Sequence, residues 1–352
     1  MTPAMTLPDL VPEAPVFQTQ ETVREAIAAA CAASDGLAAF HDLGTSEEGR
    51  PLYGVVVGHG PQTVSLIAGA HADEPVGPET LRALLVEGLR ERRTLAALGE
   101  AFRLVVVPHI NPDGEARNQR WIRRWPDLPA YLAHADREPP GRDLEFGFPD
   151  MRAENRLVAG FLRAHAPCAL HMSLHGMGFA EGGMLLVERH WAGARTERLR
   201  AAFAGAVREA GLALHDHNRK GEKGFFYIEP GFTTTPEGAA MRAHFLAIGD
   251  PDMAGRFHQS SMEFVRALGG DPLCLVTELP LFVLPPVRPA VPGVPERYLA
   301  LRERLPEWRL RAAQGEIPAD EVAAFGLQPL PLRTAMRLQM TTLELALHRV
   351  HR

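Results

Sequence analysis

The chain has 352 residues, 46% of them hydrophobic and 23% charged, with a net charge of −6 and three cysteines. That length suits one large α/β domain or two small ones, and the composition is that of an ordinary globular protein. The acidic balance gives no reason to expect nucleic acid or an anionic membrane as a partner, and no apolar run approaches the roughly eighteen residues that a membrane span requires.

The first ten residues lack the basic start and apolar core of a secretory signal, so a cytoplasmic location is expected. Cys31, Cys168 and Cys274 are scattered and read as small buried residues in a reducing compartment. Residues 1–18 are Pro-rich and read as an extended arm. Residues 20–33 suit a helix that ends at Ser34-Asp35-Gly36. Two strand-like runs, 38–43 and 51–58, flank a polar hairpin loop. Residues 63–70 form a strand. From Pro75 to about Arg93 an amphipathic helix carries Leu81, Leu84, Leu85 and Leu89 on one side. Residues 104–107 are a short apolar run of the kind covered on both faces of a sheet.

Residues 109–148 read as a long irregular segment rich in Arg, Asp, Pro and Trp, a candidate functional loop. A helix over 151–166 and a strand over 169–174 follow, the latter ending at His175-Gly176. Residues 183–188 are strand-like and 194–210 helical. Residues 220–238 form a Gly-rich, aromatic loop. A helix is expected over 252–268, then a buried strand over 273–277 that ends at Glu278. Pro285, Pro286, Pro289, Pro292 and Pro295 make a stiff connector. Beyond it the chain looks helical in pieces, broken at Pro306, Pro318, Pro329 and Pro331, and the last piece, 334–351, can pack back on the main domain. The expected division is an arm (1–18), a catalytic domain (19–284), a connector (285–295) and a helical appendage (296–352).

Alternating strands and helices imply an α/β fold, with a mixed, mostly parallel twisted sheet and helices on both faces. Such sheets place their ligands at the carboxyl ends of the strands. Four polar signals fall at those ends: His71-x-x-Glu74, Asn111-Pro112-Asp113-Gly114, His175-Gly176 and Glu278. Three residues apart, His71 and Glu74 can face one metal ion, and His175 would be the third ligand. Two histidines, one carboxylate and a water make a catalytic Zn2+ set, so a single zinc ion is expected. His171, four residues earlier on the same face, competes with His175 but lies deeper and reads as a hydrogen-bonded core histidine. The pairs His215/His217 and His348/His351 lack an adjacent carboxylate at a strand end and read as surface residues. Glu278, at the end of an apolar strand, should have a raised pKa, which suits a general base; by itself it is an ordinary strand-terminal glutamate. Arg117, Arg120, Arg123 and Arg124 follow a strand end. They could stabilise an oxyanion or grip a substrate carboxylate, or form a solvated basic face offset by Asp136, Glu138, Asp143 and Glu145.

Taken in order, these signals resemble the zinc metallocarboxypeptidase family over roughly residues 36–282. Residues 43–54 look like the hairpin before the family's zinc strand, Gly69-Ala-His71-Ala-Asp-Glu74-Pro75 like its first zinc motif, Leu174-His175-Gly176 like its second, and Thr277-Glu278-Leu279 like its general base. Asn111-Pro-Asp-Gly114 followed by Arg120-Trp-Ile-Arg123 is similar to the loop that carries the oxyanion-stabilising arginine, which the resemblance places at Arg123. Asn111 and Arg120 then become substrate-binding candidates, and Tyr227 is the candidate for the family's substrate-capping tyrosine. One departure stands out. The family's Asn-Arg pair, which binds the substrate's terminal carboxylate, is replaced by Glu145-Phe146. The resemblance implies a hydrolase that cuts an amide bond near a peptide C-terminus with metal-activated water. The alternatives are a zinc amidohydrolase of small acylated amino acids, resembling aspartoacylase and succinylglutamate desuccinylase, and a non-catalytic binding module. A peptide or an acylated amino acid is the expected partner; neither nucleic acid nor membrane is.

Overall fold

The computed structural model describes residues 6–215, 225–285, 296–317 and 319–351. Its strands are β1 (Ala38–Thr45), β2 (Pro51–Val57), β3 (Gln62–Ala68), β4 (Phe102–Val107), β5 (Cys168–Leu174), β6 (Met177–Ala180), β7 (Gly182–Val187), β8 (Ala213–Leu214), β9 (Tyr227–Glu229), β10 (Phe232–Thr234), β11 (Leu273–Glu278), β12 (Pro280–Val283) and β13 (Gln328–Pro329). Its helices are α1 (Gln20–Ala32), α2 (Val76–Glu91), α3 (Arg93–Ala101), α4 (Pro112–Ile122), α5 (Leu128–His134), α6 (Ala153–Ala164), α7 (Glu197–Glu209), α8 (Gly238–Ala247), α9 (Pro251–Ala254), α10 (Ser261–Ala267), α11 (Glu296–Ala313), α12 (Ala319–Ala323) and α13 (Leu332–Val350).

The main sheet runs β1-β2-β4-β3-β5-β11-β7-β10-β9, with β8 beside β7. Its centre, β4-β3-β5-β11, is parallel, while β1, β2 and β9 are antiparallel to their neighbours and β11 to β7. The pleat sorts the apolar residues by parity. Leu66, Leu104 and Val106 pack with Leu81 and Leu85 of α2 and Met336 and Leu343 of α13. Ile67, Val105 and Val107 pack on the other face with Val158 and Leu162 of α6 and Val265 of α10. A run such as Val64-Ser-Leu-Ile67 is buried on both faces because each face has a helical layer. Among the described helices none is long and apolar enough to cross a membrane.

Beyond the main sheet, β5 and β11 continue past the polar residues at their ends into a second small sheet, β13-β12-β6. There Pro280 pairs with Met177 in parallel register. The His175 N–H donates to the Thr277 carbonyl at 3.0 Å and the Met177 N–H to the Leu279 carbonyl at 2.8 Å. These ladders hold His175-Gly176 beside Glu278.

Three expectations need correction. Residues 109–148 are not all irregular: they contain α4 and α5. Asn111 caps α4 by accepting from the Gly114 N–H, with Pro112 in the first turn, and Asp127 caps α5 by accepting from the Ala130 N–H. Residues 252–268 are two helices, because Ser260 and Glu263 form a new capping box between them. Helix α11 runs through Pro306, anchored on either side by buried Leu301 and Trp308. The 220–238 loop is described from residue 225 and holds β9 and β10. Residues 286–295 of the Pro-rich connector, and His217, lie outside the described residues. The last helix, α13, crosses the sheet against α2, α7, β5 and β11. Its buried Gln339 donates to the His175 carbonyl at 3.1 Å and accepts from Thr80 at 2.6 Å, so the tail supports the strand end it covers.

Candidate metal centre

The carboxyl end of the parallel strands is where the sequence places its chemistry, and its first component is the turn after β3. Gly69 adopts φ +73, and a Cβ there would lie 2.6 Å from the His109 ring, so this bend requires glycine. The turn closes where the Glu74 N–H donates to the His71 carbonyl at 3.1 Å. Both side chains then point toward the end of β5.

There they meet His175. The two Nδ1 atoms of His71 and His175 lie 3.0 Å apart, the Glu74 Oε1 is 3.1 Å from His71 Nδ1, and Oε2 is 3.0 Å from His175 Nδ1. One ligand atom from each of the three residues lies within 4.8 Å of the others. The outward nitrogens face carboxylates: His71 Nε2 is 3.4 Å from Asp143 and His175 Nε2 is 3.0 Å from Glu145. A carboxylate behind an imidazole holds the proton on the outer nitrogen and leaves the inner lone pair free. Two such lone pairs and a carboxylate, which also accepts from Arg137 at 2.8 Å and from the Gly176 N–H at 3.1 Å, form a set compatible with a divalent cation.

The electrostatics have the same origin. Burial and Arg137 pull the His71 pKa down, but Glu74 and Asp143 carry it up to about 10. Burial likewise opposes a charge on His175, yet Glu145 and Glu74 raise its pKa well above the ordinary value. Against the same burial, His71, Arg137 and His175 hold the Glu74 carboxyl well below the usual range. Without a cation this centre is a proton-binding cluster, and a metal would displace those protons.

Glu278 projects from the end of β11 into the same cavity, of about 430 Å³, which Glu74, Arg137 and Gly176 also line. Burial first, then the charge of Glu74, raises its pKa to about 8, over the opposing effects of His175, His71 and Arg137. Its Oε2 is buried and has no hydrogen-bond partner among the described residues, and the same holds for Oε1 of Glu145. Buried carboxylate oxygens rarely stay unpaired, so each marks a place for a ligand or water.

Arg123 is not at this centre. It stands at the exposed end of α4, its Nε donating to Gln119 at 3.0 Å, and faces a surface groove with Arg24 and Arg120. Arg120 borders that groove too, in the last turn of α4. The guanidinium beside the cluster belongs to Arg137, which donates to Glu74 at 2.8 Å and to Asp73 at 3.4 Å. Arg137 follows α5 in the segment read as irregular; no periodicity marks it, and only the return of the chain across the strand ends brings it here. Asp143 and Glu145 escaped notice as partners for the same reason. Asn111 is fully buried: its amide donates to Glu138 at 2.8 Å and its oxygen caps α4, so it is a framework residue. Tyr227 lies on β9, at the far edge of the sheet. His215 is not a surface residue; it is buried, 2.7 Å from Glu181, in the wall of the cavity. His171 is held between Ser65 at 2.7 Å and Ser261 at 3.1 Å in the core.

Comparison with known proteins agrees with this geometry. Residues 24–169 match the zinc carboxypeptidase family model, a span that contains His71 and Glu74 and ends before His175. Carboxypeptidase M from Mus musculus is 30% identical over 129 residues, which are 34% of this chain and 28% of that protein. Carboxypeptidase D from Homo sapiens is 32% identical over 88 residues, 22% of this chain and 6% of that one. The chain thus spans less than a third of these curated relatives. The fold of carboxypeptidase A from Helicoverpa armigera superposes with a TM-score of 0.51 at 13% identity, covering 94% of this chain and 74% of that one. Residues 24–169 thus resemble the zinc carboxypeptidase family, with His71 and Glu74 inside the matched span, and the chain as a whole shares the carboxypeptidase fold.

Proposed function

We propose that this protein is a zinc-dependent hydrolase that cleaves an amide bond near the C-terminus of a peptide. The observation that carries the reading is the convergence of His71, Glu74 and His175, each histidine backed by a carboxylate, with the half-buried Glu278, whose Oε2 is buried and unpaired among the described residues, lining the same cavity as Glu74. His71, Glu74 and His175 would hold one zinc ion, which when bound makes a water acidic and polarises a carbonyl group. Glu278 takes a proton from the attacking water and passes it to the leaving amine. Its raised pKa places both protonation states within reach near neutrality. Arg137 presents a fixed guanidinium to the side of the cavity where negative charge develops on the carbonyl oxygen, held in place by Asp73 and Glu74. Asp143 and Glu145 orient the two imidazoles.

The test is product analysis by mass spectrometry. Zinc-loaded protein is incubated with free-acid, amidated and N-acylated peptides and with acylated amino acids, Glu278→Gln serving as control. Release of single residues from peptide C-termini is expected, slowed about 10²- to 10⁴-fold in the variant. Cleavage confined to acylated amino acids, or full activity of Glu278→Gln, would reject the reading.

A further inference from the structure

The segment where the family pattern expects a carboxylate-binding Asn-Arg pair offers no cation to the cavity. Glu145 is engaged with His175 Nε2, and Phe146 packs edge-on against Phe257 with ring centroids 5.3 Å apart. Arg137 is committed to Asp73 and Glu74. Across the cavity, however, stands α11. Tyr298, Arg302, Leu305 and Arg309 line the same cavity as Glu74 and Glu278. Their spacing of four, three and four residues is that of one helix face.

The two arginines on that face differ from the others on α11. Arg304 pairs with Glu307, Arg311 with Glu321 and Glu307, and Arg297 donates to the carbonyls of Ala324 and Phe325. Arg302 and Arg309 make no ion pair or hydrogen bond among the described residues, and both are exposed. The helix that carries them is fixed: α11 packs on α5, and buried Trp308 stacks edge-on against Phe325 and donates to Glu321 at 3.2 Å. The rest of the lining carries Asp73, Glu74 and Glu278, with Arg137 paired to the first two. A carboxylate on the substrate finds the cavity's unpaired guanidinium groups on α11, which fixes its direction in the cavity.

We propose that Arg302 and Arg309 of α11 are the specificity-determining residues of this site and recognise a carboxylate on the substrate, the role that Glu145-Phe146 cannot fill. Each guanidinium can hold a carboxylate through paired N–H donors. This inference rests on the hydrolase reading for the identity of the substrate, but recognition of the carboxylate is measurable without turnover.

Two blocked dipeptides, identical except for a C-terminal carboxylate or carboxamide, separate the possibilities. Their binding to the Glu278→Gln protein is measured by calorimetry, and their hydrolysis by the zinc-loaded enzyme is measured in parallel. Each is repeated with Arg302→Gln, Arg309→Gln, both together, and Arg304→Gln as an outward-facing control. In the parent, the free acid should bind at least about tenfold tighter than the amide, a difference typical of one charged hydrogen-bonded pair. The double variant should lose that preference. Its KM for the free acid should rise about tenfold with kcat changed less than about threefold, the signature of lost uniform binding. Arg304→Gln should match the parent. An acid-over-amide preference that survives in the double variant, or is missing from the parent, overturns the inference and leaves the hydrolase reading standing. If the parent hydrolyses neither compound, the hydrolase reading fails, and the calorimetric preference still decides what the arginines do.

Discussion

His171 and His175 lie four residues apart, one inside β5 and one just beyond its end, and their surroundings make them opposites. His171 is enclosed by neutral partners, Ser65 and Ser261, and burial lowers its pKa to about 3. His175 is equally enclosed, but Glu74 and Glu145 flank it and raise its pKa well above the ordinary value. Burial is common to both; the sign of the shift is set by the charges that share it. A buried histidine alone says little. A buried histidine between carboxylates suits a proton or a metal ion, and a second imidazole Nδ1 at 3.0 Å is compatible with a shared cation.

The sharpest way to break that contrast is to remove each histidine in turn. His175→Ala should reduce bound zinc from one equivalent to nearly none by elemental analysis and abolish activity. His171→Ala should keep the zinc and lose stability instead, by about 2–4 kcal/mol, because it leaves a cavity and unpaired serine hydroxyls. Zinc retained at full stoichiometry in His175→Ala would refute the assignment.

A second pair extends the comparison to arginine. Arg137→Gln should lower kcat/KM about 10²-fold, the order seen when one transition-state donor is lost, and Arg123→Gln should stay within about twofold. The reverse ranking would return the role to Arg123.

The smallest effect concerns Glu278 in metal-free protein. Its pKa rises from 4.5 to about 8 on folding. Between those values the folded state binds the extra proton, so this group's contribution to stability is complete below about pH 4.5 and is lost as pH rises through about 8. Glu278→Gln removes the dependence. Thermal melts of the metal-free proteins should show the variant gaining on the parent from pH 5 to pH 8.5; an equal difference at both pH values would mean that Glu278 is not desolvated.

Much of this was legible in the chain. The turn His71-x-x-Glu74, the strand-end His175 and the strand-terminal Glu278 each follow an apolar run, and parallel register brings such ends together: Ala68 pairs with Leu174, and Leu174 with Thr277. Capping signals at Asn111-Pro112 and Asp127 announced α4 and α5, though the polar composition of the segment obscured them. What was not legible was direction. Arg123 and Arg137 are equally basic and lie in the same stretch, and nothing local says which one the chain carries back to the strand ends.

The sequence by itself determined the strand pattern, the residues at the strand ends and hence the donor set of the centre, because apolar periodicity and turn chemistry are local. Tertiary structure decided which arginine stands beside the cluster, which carboxylates hold the imidazoles, and that α11 closes the cavity with Arg302 and Arg309. Those are contacts between residues far apart in the chain, and only the packing of helices on a completed sheet fixes them.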